Sequence, residues 1–187
     1  MKILYPTRIF LLRGNHETSA TNTQGENCLL EMCRRQYPAN FEAAYFQIQT
    51  AFTYLPFCAT IDNQIFCTHG GLPRMLGEHP DCDIKAEIAR LPIPWDNSTF
   101  EDGFNSPQSK LCYDLLWSDP FPSPETFDLS KLNRMGYPQG FAESVRGFGP
   151  VCFSKEVVKN FFKRTGFTHI IRAHESTHVN IKYNHFH

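Results

Sequence analysis

Three short apolar runs, each stopping at a histidine, constrain this chain more than any other feature. The first is Arg8-Ile9-Phe10-Leu11-Leu12-Arg13-Gly14-Asn15-His16-Glu17, the second Gln64-Ile65-Phe66-Cys67-Thr68-His69-Gly70-Gly71, and the third Thr168-His169-Ile170-Ile171-Arg172-Ala173-His174-Glu175. β-branched and aromatic residues fill each run and Gly or polar residues close it, which is the pattern of a buried strand. Strands that lie side by side deliver whatever follows them to one edge of the sheet. Imidazoles and an Asn amide gathered there can bind a divalent transition metal, and Gly lets the backbone come close to a ligand. The three runs together predict a sheet with a metal-competent edge.

At 187 residues the chain is long enough for one domain with a sizeable core, or for most of a larger one. Its 17 Phe suit a well-filled interior. The net charge of −1 gives no global field toward nucleic acid or a membrane surface. No apolar stretch approaches the roughly 20 residues that span a bilayer. The seven cysteines are scattered, with no C-x-x-C pair, and the first residues lack the apolar core of a secretory signal. Free, mostly buried thiols in a reducing compartment are expected, hence cytosol or nucleus.

Strands and helices interleave. Apolar residues at 29, 30, 33 and 37 predict a helix within 25–37. Phe41, Tyr45, Ile48, Phe52 and Leu55 predict a second amphipathic helix, with Pro38 and Pro56 as its limits. Residues 57–61 and 64–68 read as strands joined by a turn at Asp62-Asn63, and 83–91 as a short helix. Pro92 to Ser109, rich in Pro, Asn, Ser, Asp and Gly, reads as a long surface loop. Ser154 can cap a helix through Thr165 with Val157, Val158, Phe161 and Phe162 on its core face, and Gly166 can close it in the left-handed conformation. The class is α+β, or α/β with a layered sheet.

Leu11-Leu12-Arg13-Gly14-Asn15-His16-Glu17 is followed in order by Phe66-Cys67-Thr68-His69-Gly70-Gly71-Leu72, Leu115-Leu116-Trp117-Ser118-Asp119-Pro120, Arg146-Gly147 and Arg172-Ala173-His174-Glu175. This ordered set resembles the phosphoprotein phosphatase family of protein serine/threonine phosphatases, within the metallophosphoesterase superfamily. The resemblance implies a calcineurin-like β-sandwich flanked by helices. It implies that Asn15, His69 and His174 hold one of two active-site metals, that His16 is the catalytic histidine, and that Arg146 holds substrate phosphate with help from Asn15. It also implies phosphoprotein substrates and regulatory subunits, with manganese, iron or zinc as the metals.

The chemistry suits those assignments. Two metals ~3.5–4 Å apart can generate hydroxide at neutral pH for direct attack on phosphorus and offset the developing charge. A planar Arg fork matches two phosphate oxygens. The leaving alkoxide is strongly basic, so a general acid such as His16 is worth roughly 10²–10⁴-fold.

Trp117 and Asp119 have two readings, as the wall of a substrate groove or as part of the core beside a turn. Glu17 and Glu175 read either as carboxylates supporting the ligands or as solvated side chains. His178, His185 and His187 match no structural zinc spacing and read as a solvated tail.

The family's Gly-Asp-x-His-Gly and Gly-Asp-x-Val-Asp-Arg-Gly elements occur nowhere in the sequence. They supply the first metal's ligands, the bridging aspartate, the carboxylate that orients the catalytic histidine and a second phosphate arginine. The opening residues resemble an interior stretch, and the sequence stops soon after His174. The expectation is therefore a partial catalytic domain truncated at both ends, inactive by itself. Without the bridging carboxylate, two dications ~4 Å apart repel four times as strongly as unit charges, so at most one weakly held metal is expected. Two other functions remain open: a phosphatase-like interaction protein without catalysis, and a dinucleoside polyphosphate hydrolase. Residues 115–120 and the length between His69 and Arg146 favour protein substrates over the latter.

Overall fold

The computed structural model describes residues 1–95, 106–121 and 136–175. In chain order the helices are α1 (Ser19–Asn22), α2 (Leu29–Gln36), α3 (Phe41–Thr53), α4 (Met75–Glu78), α5 (Ile84–Ala89), α6 (Pro107–Trp117) and α7 (Lys155–Thr165), with a 3-10 turn at Asn15–Glu17. The strands are β1 (Cys58–Ile61), β2 (Ile65–Thr68), β3 (Asp119–Pro120), β4 (Phe141–Ser144), β5 (Gly147–Phe153) and β6 (His169–Arg172). They form two small sheets, ordered β1-β2-β6 and β3-β5-β4. The architecture is α+β, as the pattern predicts.

In the first sheet β1 and β2 form the expected hairpin. Asp62 and Asn63 turn it at φ 51° and 52°, the left-handed pair that matches strand twist and that Asx residues tolerate. β6 then adds to β2 in parallel, with Ile65 opposite His169 and Thr68 opposite Arg172. The second and third apolar runs are thus immediate neighbours running the same way. The residues after them, His69 and His174, leave the sheet at one edge.

Side chains from both sheets enter one core. Phe66 of β2, Leu111, Leu115 and Leu116 of α6, Phe141 and Phe153 of the second sheet and Phe161 of α7 all belong to it. Phe66 lies 5.2 Å from Phe161 and 5.7 Å from Phe167, ring centre to ring centre. α7 follows its sequence signals: Ser154 Oγ accepts from the Val157 N–H at 3.4 Å, and Gly166 ends the helix at φ 77°. Val157 and Phe161 are buried, while Val158 and Phe162 pack partly buried at the margin. α3 also forms where its spacing places it, yet none of its residues is fully buried.

Two expectations fail. Arg8–Arg13 joins neither sheet, and Phe10 is 73% exposed. Its end is tied down by the Arg13 N–H, which donates to the Pro56 carbonyl at 2.8 Å. An apolar run states a tendency to be buried, whereas a strand also needs a partner's N–H and C=O groups, and of these the run's end takes only the Pro56 carbonyl, just before β1. The surface loop fails at both ends. Trp95 is buried edge-on against Phe57, at 5.8 Å, and Pro107–Ser109 is the first turn of α6. Ser106 caps that turn by accepting from the Ser109 N–H at 3.0 Å, and Pro at the first helical position needs no N–H partner. The rest of the loop, 96–105, and the three tail histidines lie outside the described residues.

Candidate metal and phosphate site

His69 and His174 meet because β2 and β6 are parallel neighbours. Their ring centres are 5.1 Å apart. Asn15 comes from the 3-10 turn after the first run and is buried, and His69 Nε2 donates to its side-chain oxygen at 2.8 Å. Gly14 makes this approach possible: a Cβ there would lie 2.6 Å from Glu17 Oε2 and 2.9 Å from His69 Nδ1. Glu17 is engaged locally, accepting from the Gly14 N–H at 2.7 Å. His174 sits at φ 69°, a left-handed conformation uncommon for a residue with a Cβ, which turns the chain out of β6. Its Nε2 is buried with no hydrogen-bond partner among the described residues.

The end of α6 walls the site. Gly70 N–H donates to the Leu115 carbonyl at 2.8 Å and Thr68 Oγ1 donates to it at 2.9 Å, so the helix terminus is docked on the end of β2. Trp117 is half-buried and meets His174 edge-on at 5.4 Å, with Tyr113 stacked on its other side at 5.8 Å. It is neither a plain core tryptophan nor a free surface one. Asp119 opens β3 and is buried, and one of its oxygens accepts from Arg146 Nε at 2.7 Å. Arg146 follows β4, and its terminal nitrogen lies 3.5 Å from the His174 carbonyl. Glu175 pairs with Arg172.

Asn15, His69, His174, Trp117, Asp119 and Arg146 are therefore brought together. His16 is beside them in the 3-10 turn, exposed, on the rim of an open 470 Å³ pocket shared with Asn22, Met32 and Phe52. No hydrogen bond orients its imidazole among the described residues. Sequence reasoning gave Tyr113 and Arg172 no task. The signals were slight: Tyr113 stands four residues before Trp117 on one helix face, and Arg172 is the last strand residue before a histidine turn.

The donor set fits a divalent cation. Tetrahedral ligands about 2.0–2.2 Å from a metal sit about 3.3–3.6 Å from one another, and Asn15 Oδ1 and His69 Nε2, hydrogen-bonded at 2.8 Å, would need to part by less than about 1 Å to share one. The buried, unpartnered nitrogen of His174 lacks only something to bind. Among the described residues no three His, Cys, Asp or Glu side chains converge, so the set is two imidazoles and an amide. Burial lowers the pKa of both rings, that of His174 to about 4; Asp119 opposes the drop, while Arg146, His69 and Arg172 reinforce it. Neutral imidazoles are the form that binds metals.

The same shift makes stability pH-dependent. Between pH 6.5, the ordinary imidazole value, and about 4, the unfolded chain takes up a proton at His174 that the native state refuses. Stability is thus complete above this window and declines as pH falls through it. Urea midpoints at pH 7.5, 5.5 and 4.5 should show a steeper acid loss for the wild type than for His174→Gln. Equal slopes would contradict the assignment.

The seven cysteines are free, and burial pushes the Cys58 thiol up to about 12, so it is inert at neutral pH. Among the described residues no helix is long and apolar enough to cross a membrane.

Two small sheets in an α+β arrangement, with histidines leaving adjacent parallel strands beside an Asn and an Arg, are consistent with a metallophosphatase fold. The chain belongs to the calcineurin-like phosphoesterase family, whose model matches residues 1–178 and whose members generally depend on divalent metals. A candidate serine/threonine-protein phosphatase of Schizosaccharomyces pombe is 34% identical over 176 residues, which is 94% of this chain and 46% of that protein. A solved Saccharomyces cerevisiae protein serine/threonine phosphatase, described as similar to human phosphatase PP5, matches with a TM-score of 0.67 at 24% identity. That match covers 94% of this chain and 44% of the other and is a likeness of fold. The chain spans about half the length of the relatives it matches.

Proposed function

We propose that this chain carries the Asn-His-His metal face and one phosphate arginine of a protein serine/threonine phosphatase. The observation that carries the reading is the unpartnered, buried His174 Nε2 beside the Asn15–His69 pair. Asn15, His69 and His174 would hold a divalent cation, which when bound supplies an activated water and offsets negative charge on a phosphate monoester. Arg146 would bind the phosphate, its Nε anchored on Asp119 and its terminal N–H groups turned to two phosphate oxygens. His16 would protonate the leaving serine or threonine oxygen. Its exposure supports that role, because a proton donor must reach a substrate that arrives from solvent. Trp117 would flank the bound phosphoprotein segment.

The described residues supply donors for one cation and one guanidinium for the phosphate, so by themselves they would bind metal weakly and turn over slowly or not at all. Calorimetric titration with Mn²⁺ tests this. A single weak site is expected, and Asn15→Ala, His69→Ala or His174→Ala should each abolish or greatly weaken it. Two tight sites, or a titration indifferent to all three substitutions, would overturn the reading.

A further inference from the structure

Arg172, the last residue of β6, is the point at which the separate segments of the site meet. Its Nε donates to the Gly70 carbonyl at 2.6 Å, just after His69. One terminal nitrogen donates to the Ser118 carbonyl at 3.4 Å and to Asp119 Oδ1 at 2.6 Å, just after Trp117. The other pairs with Glu175, next to His174. Asp119 gives its second oxygen to Arg146 Nε at 2.7 Å, so two guanidinium groups grip one carboxylate from opposite sides. The Arg172 side chain is 17% exposed and that of Asp119 7%, against 34% for Arg146. The inner arginine is enclosed and its donors are committed; the outer one reaches solvent.

This arrangement divides the labour. Arg146 is held through Nε, and one terminal nitrogen makes a long 3.5 Å bond to the His174 carbonyl, which leaves the remaining terminal N–H groups for an oxyanion. That grip is only as firm as Asp119, a carboxylate on a short side chain that could otherwise rotate. Arg172 removes the freedom by occupying Oδ1, and it anchors the adjoining backbone at Ser118. The task needs a planar fork that serves acceptors in several directions, which a Lys point charge cannot do.

We propose that Arg172 is a positioning residue of the phosphate site: it locks Asp119, and through Asp119 the phosphate-facing guanidinium of Arg146, while joining the His69, Trp117 and His174 segments into one unit. The proposal rests on the reading of Arg146 given above. It predicts that losing Arg172 acts on phosphate although Arg172 never touches it.

The test uses the 187-residue chain as wild type, Arg172→Met, Arg172→Lys, Asp119→Ala and the Arg172→Met/Asp119→Ala double variant, each titrated with inorganic phosphate in the presence of manganese. Arg172→Met should weaken phosphate by roughly 10–100-fold, the usual cost of removing a group that orients a binding residue. Arg172→Lys should fail to restore it, and carries the test if the Met variant does not fold. In the Asp119→Ala background, Arg172→Met should add less than about 2-fold, because both act through one contact. Urea midpoints recorded alongside separate these losses from unfolding. A folded Arg172 variant that binds phosphate within 2-fold of wild type, or losses that simply add, would overturn the proposal.

A wild type that binds no phosphate would count against the functional reading and not against Arg172. The Arg146 Nε–H signal in NMR, assigned by its loss in Arg146→Lys, is therefore followed without ligand as well. It should be protected from solvent exchange in the wild type and exchange freely in Arg172→Met. Unchanged protection would show that Arg172 does not position Arg146.

Discussion

Asp114→Ala should cost about 3–5 kcal/mol of folding stability, the penalty for stranding one member of a buried ion pair. Asp114 lies on α6 with no exposed surface. It accepts from the Arg74 backbone N–H at 2.8 Å, from Arg74 Nε at 2.9 Å and from a terminal Arg74 nitrogen at 2.7 Å. That last nitrogen also donates to the Gly149 carbonyl at 2.7 Å, so the pair links α6, the start of α4 and β5. Burial works against the Arg74 charge, but the Asp114 carboxylate more than compensates and holds its pKa above the ordinary value. Removing the carboxylate takes its main counter-charge from a guanidinium that is only 12% exposed. Domains of this size are stable by about 5–15 kcal/mol in all, so the variant should retain only part of its stability. Urea denaturation gives the measurement. Replacing both partners by apolar residues of similar volume should cost much less than the single change. A loss below about 1 kcal/mol for Asp114→Ala would show that the pair is not buried as described.

Gly70→Ala should damage the fold and the site together. A Cβ at this position would lie 2.5 Å from the Leu116 carbonyl carbon, 2.6 Å from the Trp117 nitrogen and 2.9 Å from the Leu115 oxygen. All three are backbone atoms, which cannot swing aside as a side chain can. The end of α6 must move away from β2, breaking the bonds that Thr68 and Gly70 make to Leu115. Overpacking of this kind costs roughly 1–3 kcal/mol and sometimes more. The displaced helix end carries Trp117 and Asp119, and Gly70 follows His69. Mn²⁺ binding should therefore fall by at least about 10-fold even where the variant remains folded, since supporting groups are worth that much to a metal site. Near-ultraviolet circular dichroism in a Trp95→Phe background, where Trp117 is the one tryptophan, and a Mn²⁺ titration read the two consequences. A variant with wild-type affinity and an unchanged Trp117 signal would show that the contact is looser than described.

Much of the sheet edge was legible in the sequence because its signals are local. β2 and β6 announced themselves by β-branched and aromatic residues closed by Gly or polar ones, and the Asp62-Asn63 turn and the Ser154 and Gly166 caps lie within a few residues of what they govern. The residues expected to gather did so for the same reason: two strands that both end at a histidine need only be neighbours. What escaped was set by distant parts of the chain. Arg13, Arg74 and Arg172 are each largely withdrawn from solvent, but nothing near Arg74 marks a partner 40 positions away. Isolated charges read as solvated until their acceptors are known. β4 and β5 went unread because Gly147, Gly149 and Pro150 interrupt alternation and a register shift falls at Glu143/Ser144. Pro107 looked like a loop residue, although Pro opens helices as readily as it ends them.

The β2–β6 pairing joins stretches of the polypeptide that are far apart in sequence; Thr168 and Gln64, at its start, are 104 positions distant. Closing so long an interval is slow and gains little until the intervening elements have packed. The two imidazoles are consequently brought within reach of each other by long-range pairing and not by any local turn. A cation held between them would act as a clasp on that closure, stabilising the native chain in proportion to the logarithm of its concentration and leaving the unfolded chain largely indifferent. Melting temperature followed against added manganese would then report assembly of the entire domain, not merely the occupancy of a few side chains.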